Sequence, residues 1–301
     1  MDEKKIKDDL ISVSKRTSLI NQKIKAHGSR YLLPLEDRDI EIVYYAAESD
    51  RAPVIFGMHG GGFLIGGCAF DDRMWDHMRT TLNVNIVSIG YRKTPEYPFP
   101  AALHDVYDAM VYVIDKMPEL SFDRDKICVF GNSAGTTLAA AVCLLAKEKG
   151  YPTIKAQILN YPFLDLASDP AEKGDSGQEL IESLLFNELY IKNADPKDPL
   201  LSPVYAEDLS GLPSAIMMVC EHDTLRAEGE LYAKRLKEAG VEVSLYLAKD
   251  MHHAFFEQNY AKALPTDPDS IKAFRENGRM AEESANTLAH IKAQLEKLHI
   301  I

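Results

Sequence analysis

The spacing of apolar residues divides this chain into segments of two kinds. In residues 1 to about 28, Ile6, Leu10, Val13, Ile20 and Ile24 recur at near-helical intervals, which predicts an amphipathic helix. Residues 39–46, DIEIVYYA, alternate polar and apolar and predict an outer strand. The next apolar stretches no longer alternate. APVIFGMHG (52–60), the run Ile127–Phe130, IKAQILNYP (154–162) and SAIMMVCEHD (214–223) are near-continuous, as in strands covered on both faces. NVNIVSIGY (83–91) is a further strand, and VEVSLYLA (241–248) alternates as the last one. Helical stretches separate them. DDRMWDHMRTTL carries a helix-start signature in Asp71 and Asp72, and PAALHDVYDAMVYVIDKM is long and amphipathic. Thr136 to Leu145 has helical composition, RAEGELYAKRLKEAG ends at Gly240, and residues 267–298 are mostly helix.

From about residue 53 strands and helices alternate, which requires crossover connections and a mainly parallel sheet with helices on both faces. The fold class is therefore α/β, and sites in such sheets form at the carboxyl ends of the strands. Residues 165–212 break the alternation with a loop, the apolar run ELIESLLFNELYI and the Pro- and Asp-rich ADPKDPLLSP. That is too long for a plain connection. It is expected to lie over the carboxyl edge and to pack with the N-terminal helix. The chain is expected to be a single domain, 1–301, with cap elements from about 1–30 and 165–212.

Composition narrows the chemistry. Apolar residues make up 46% and charged residues 27% of 301 positions, which suits a globular domain with a sizeable core. The net charge of −12 and the lack of a basic cluster argue against a nucleic-acid partner. No stretch reaches bilayer-spanning length and the N-terminus lacks a signal-peptide core, so a cytoplasmic location is expected. Cys68, Cys128, Cys143 and Cys220 have no metal-ligand spacing, and the last three lie in apolar runs, so reduced, buried thiols are expected and no metal.

Four short stretches carry candidate chemistry, each just after a predicted strand. Gly131-Asn132-Ser133-Ala134-Gly135 sets a serine at a sharp strand-to-helix joint, the pattern of a nucleophile elbow. HGGGF, His59–Phe63, offers backbone N–H groups to a developing oxyanion without side-chain obstruction. It lacks the Gly-Lys-Ser/Thr ending and the glycine register of a phosphate cradle. Asp223 follows SAIMMVC and can orient a base, and it can equally cap the next helix; Glu221 and Glu228 are competing carboxylates. His252 and His253 follow the final strand. Ser133, Asp223 and His253 fit the chain order Ser…Asp…His of an acyl-transfer triad.

With these stretches in hand, the region from about Val54 to Phe256 resembles the hormone-sensitive-lipase-like branch of the α/β-hydrolase fold, the bacterial type IV esterases. HGGGF, YRKTPEYPFPAALHD, GNSAG, DPLLSP, EHDTLRAEGELYAKRLKEAGV and DMHHAF carry the resemblance. It implies Gly61, Gly62 and Ala134 as oxyanion donors, His59 as a brace for the glycine loop, and Asp105, Arg92 and Glu96 as structural supports. It puts the base at His253 and makes His252 the variable position. It implies no cofactor, and a homodimer only because dimers are common in this branch. Asn132 stands where the branch commonly has Asp, and Thr136 and Ala254 stand where it has glycine. The part before HGGGF is shorter than usual in the branch.

The expected activity is a serine carboxylesterase for small-molecule esters with acyl groups from acetyl to about octanoyl. Phe63, Leu64, Phe163 and Phe255, with His252 beside the base, are candidates for the substrate pocket. Another serine hydrolase (amidase, peptidase or lactonase) and a non-catalytic small-molecule binding protein of the same fold remain as alternatives.

Overall fold

The computed structural model describes residues 3–261 and 278–301. An eight-stranded sheet runs in the order β1-β2-β4-β3-β5-β6-β7-β8. The strands are β1 (Ser29–Pro34), β2 (Asp39–Tyr45), β3 (Val54–Met58), β4 (Asn85–Gly90), β5 (Ile127–Asn132), β6 (Ile154–Asn160), β7 (Ser214–His222) and β8 (Val243–His252). β1 pairs with β2 and β2 with β4 in antiparallel fashion, and every later pairing is parallel. The predicted outer strand β2 is thus second from the edge. The edge strand β1, SRYLLP, carries no clean alternation, and only Leu33 is buried in it.

The near-continuous apolar runs follow from cover on both faces. Val54, Phe56 and Met58 of β3 join one core and Ile55 the opposite one. The first core is closed by α3 (Ala101–Lys116), α4 (Ala134–Lys149) and α7 (Arg226–Glu238). The second is closed by α2 (Asp72–Leu82), through Met74, Trp75 and Met78, by α8 (Phe255–Tyr260) and by the C-terminal helix α9 (Arg279–Lys297). The predicted C-terminal helix begins earlier in sequence, and its part in 262–277 lies outside the described residues. Cys68, Cys128, Cys143 and Cys220 are all buried and free.

Two segments lie over the carboxyl edge. Within 165–212, α5 (Pro170–Lys173) and α6 (Gly177–Ile191) follow β6, and α6 packs against α1 (Glu3–Lys23), with Lys7 Nζ 2.8 Å from Glu188 Oε1. The buried face of α1 departs from the predicted stripe. Ile6 is buried, but Ile20 is 44% exposed, and the second half of the helix buries Ser14, Thr17 and Asn21 instead. The reason is polar. Ser14 Oγ donates to Leu64 O at 2.6 Å and Asn21 Oδ1 accepts from Ala69 N at 2.8 Å. α1 therefore satisfies backbone groups of the segment that follows the glycine loop.

Candidate active site

The elbow is built by close backbone packing. Ser133 has φ 51° and ψ −123°, a conformation unusual for a side-chain-bearing residue. A Cβ on Gly131 would lie 2.3 Å from Gly135 O, and one on Gly135 would lie 2.3 Å from Met58 O. Glycine at both places lets β5 turn into α4 directly against the end of β3. The turn is held by Ser133 N donating to Asn160 O at 3.1 Å and Thr136 N to Ser133 O at 2.8 Å. Asn132 Oδ1 accepts from Asn160 Nδ2 at 2.9 Å, so a neutral amide pair stands here. Thr136 Oγ1 accepts from Phe163 N at 2.9 Å and ties the elbow to the loop after β6. Ala254 sits at φ 64°, a left-handed position that glycine would occupy without strain.

The strand order brings the distant groups together. Ser133 Oγ is 2.8 Å from His253 Nε2, and His253 Nδ1 is 2.8 Å from Asp223 Oδ2. In this arrangement Nδ1–H donates to the carboxylate and Nε2 is free to accept the serine proton. Asp223 has a 2% exposed side chain and also accepts from Leu225 N at 3.0 Å, so orientation and turn-capping coexist. Burial opposes its charge, but the His253 ring and these hydrogen bonds hold its carboxyl below the usual range. Burial likewise works against a charged imidazole, yet the Asp223 carboxylate outweighs it and raises His253 above its ordinary value. Of the competing carboxylates, Glu221 is exposed and accepts from Asp250 N at 2.9 Å. Glu228 is 6% exposed and paired with Lys173.

A pH dependence follows with a definite sign. The base must be neutral to take a proton, so kcat/KM is expected to fall as pH drops through the His253 pKa, above the ordinary value of about 6.5. Asp223→Asn removes the charge that raises it. A pH–rate profile of that variant is expected to show the acid limb moved to lower pH, with kcat reduced about 10²- to 10⁴-fold. An unmoved limb would assign the raised value to another group.

The glycine loop follows β3 and lies against the elbow: a Cβ on Gly60 would be 3.4 Å from Ser133 Cβ. Gly61 and Gly62 have φ 109° and 59°. Ala134 is the first residue of α4, so its N–H has no partner within the helix. His59 is fully buried, its Nδ1 is 2.7 Å from Gly60 O, and its ring stacks on Tyr91 at 4.2 Å. Burial, with Lys93 nearby, pushes His59 down to about 3, so it stays neutral as a brace. Tyr91 Oη donates to His59 O at 2.7 Å, and Thr94 N to Phe63 O at 3.0 Å. Asp105, fully buried, anchors that second segment by accepting from Arg92 N at 2.8 Å and Arg38 Nε at 2.6 Å. Glu96, grouped with these supports by resemblance, is exposed.

A pocket of about 120 Å³ opens beside Ser133 and His253. Phe163 lines it, together with Phe186, Leu225 and polar side chains of the inserted segment. Four pocket candidates are corrected. Phe63 and Leu64 are fully buried beneath the loop, Phe63 stacked on Tyr190 at 3.6 Å. Phe255 is 2% exposed, packed against Tyr161 behind the base. His252 is exposed, with its ring 5.3 Å from His222. Each of the four lies within two residues of a site residue in sequence, yet none lines the pocket. Phe186, against the face of Gly62, and Tyr161, edge-on to His253 at 5.0 Å, were not legible as site residues. Nothing in the local sequence of α6 or of NYPF distinguishes them from ordinary core aromatics. Nor was a pair of acids behind the loop, Asp71 and Glu257, whose carboxyls burial pushes up.

The fold and site together define an α/β hydrolase with a serine–histidine–aspartate constellation. The family of the α/β hydrolase fold matches residues 55–257, and the chain belongs to it. An arylesterase of Saccharolobus solfataricus is 35% identical over 74% of this chain and 75% of the relative. The carboxylesterase NlhH of Mycobacterium tuberculosis is 32% identical over 77% and 74% respectively. An esterase structure from Pyrobaculum calidifontis superposes with a TM-score of 0.80 at 29% identity, covering 100% of this chain and 94% of the other. The resemblance to the hormone-sensitive-lipase-like esterases holds on all three. Among the described residues no helix is long and apolar enough to cross a membrane.

Proposed function

We propose that this chain is a serine carboxylesterase that cleaves short-chain acyl esters through an acyl-enzyme. The observation that carries this is the unbroken relay from Ser133 Oγ through the His253 ring to Asp223, 2.8 Å at each link, opening on a pocket beside the glycine loop. Ser133 Oγ attacks the ester carbonyl while His253 Nε2 takes its proton, and Asp223 keeps Nδ1–H in place. The carbonyl oxygen gathers charge against the N–H groups of Gly61, Gly62 and Ala134. The alcohol leaves with the proton from Nε2, and a water repeats the sequence to free the acid.

The pocket's size supports short acyl groups. The pocket holds about 120 Å³, with Phe163, Phe186 and Leu225 as its apolar lining. Residues 1–30 and 165–212 act as the cap of a single domain: α6 covers the glycine loop through Phe186, while α1 braces the loop from behind. The arylesterase and carboxylesterase relatives are consistent with this chemistry.

Treatment with an organophosphonate tests the reading. A stoichiometric adduct on Ser133 with loss of ester cleavage is expected, and the rate over a series of p-nitrophenyl esters should peak between acetyl and octanoyl. Absence of an adduct would favour the binding-protein alternative, and a peak on long chains would defeat the short-chain assignment. Matched ester and amide substrates separate an esterase from an amidase.

A further inference from the structure

The part of the pocket contributed by the inserted segment is polar, with Asp175, Glu179 and Asn187 lining it beside Phe186. Two of its groups are incompletely bonded. Asp175 and Asn187 are each 7% exposed, and Asp175 Oδ1 and Asn187 Oδ1 have no hydrogen-bond partner among the described residues. A buried carboxylate oxygen without a donor is costly, and an ionised carboxylate can only accept. The amide of Asn187 presents oxygen or, turned over, N–H, so Asp175 decides what this lining requires. Glu179 adds a second carboxylate at the exposed rim; burial and the Asp175 charge both push it up. The cation in the same lining is already engaged. Lys173 Nζ donates to Glu228 Oε2 and to Asp165 O, and lies 5.3 Å from the centre of the Phe163 ring.

We propose that this lining is an anionic subsite for the substrate, selecting esters that carry a protonated amine within a few bonds of the scissile carbonyl. The proposal rests on the esterase reading and names its substrate class. An ammonium N–H would satisfy Asp175 with a charge-assisted bond. The position fits the chemistry. Gly174, next to Asp175, approaches the Thr224 methyl at 3.6 Å from its ideal Cβ, and Thr224 follows Asp223. The subsite therefore lies beside the acid end of the relay and within the pocket that contains Ser133.

The test compares cationic esters with neutral esters of the same shape on the full chain. Dimethylaminoethyl acetate against isoamyl acetate places the amine on the alcohol side. Methyl 4-dimethylaminobutanoate against methyl isoheptanoate places it on the acyl side. After correction for uncatalysed hydrolysis, kcat/KM is expected to favour the cation by about tenfold in at least one pair, less at high salt. Asp175→Asn keeps the shape and removes the charge, and should bring that ratio near unity. Glu179→Gln, at an exposed position that does not threaten folding, should lower it in part. Equal rates within both pairs would overturn the subsite, as would a preference that survives both substitutions. If Asp175→Asn fails to fold, Glu179→Gln decides. Failure to cleave any of the four esters would instead overturn the esterase reading.

Discussion

Replacing Ser133 with alanine is expected to lower kcat on an activated short-chain ester by about 10⁴- to 10⁶-fold, with KM changed far less. The loss is chemical. Without Oγ no acyl-enzyme forms, while the glycine loop and pocket remain to bind substrate. The fold should persist, because the turn is held by backbone bonds from Ser133 N to Asn160 O and from Thr136 N to Ser133 O, and alanine keeps both. His253→Ala should cost a similar factor, and the double variant should be little worse than either, since the groups act as one unit. Steady-state kinetics with a thermal unfolding control measures this. Near-full turnover by either single variant would remove the assignment.

The largest expected loss of stability comes from a residue that touches no substrate. Asp105→Ala should destabilise the fold by about 3 kcal/mol, the low end for a broken buried pair, because Arg92 loses its carboxylate while Arg38 keeps Asp37 and Asp108. Arg38, 14% exposed, and Arg92, 28% exposed, both converge on this fully buried carboxylate. At about 2–4 °C per kcal/mol, the melting midpoint should fall by roughly 10 °C. The effect should reach the site. Asp105 fixes Arg92, two residues before Thr94, and Thr94 N holds Phe63 O of the glycine loop at 3.0 Å. Activity below the melting range is therefore expected to drop too, and Asp105→Asn, which keeps acceptor geometry on one oxygen, should lie between. A melting midpoint within a degree of wild type would show that the arginines find solvent instead.

Much of the site was readable along the chain because the elbow, the glycine loop and the Asp and His turns each occupy a few residues after a strand. The period of β3, β5, β6 and β7 told that both faces are covered, but the alternation of β8 did not give its face: Leu245 is exposed and Ala248, from the other set, is buried. Strand β1 escaped because only Leu33 is buried in it, leaving no periodic signal. The inner face of α1 escaped for the opposite reason. Its partners are backbone groups at Leu64 and Ala69, so the buried residues are Ser14 and Asn21, which a hydropathy pattern assigns to solvent.

The pocket shows where linear reading stops. Phe63, Leu64 and Phe255 adjoin the reacting residues in sequence yet pack into the core, while Phe186 comes from the inserted segment to face Gly62. Adjacent side chains leave the backbone in different directions, so nearness in sequence does not set the pocket's lining. By itself the sequence determined the order of the chemical groups, their seats at strand ends and the glycines without which the elbow cannot turn, because each depends on backbone geometry within a few residues. Only the tertiary structure decided which carboxylate meets His253, which aromatics line the pocket, and that Asp175 and Asn187 line it with one unpartnered oxygen each, because those outcomes depend on the packing of segments tens of residues apart.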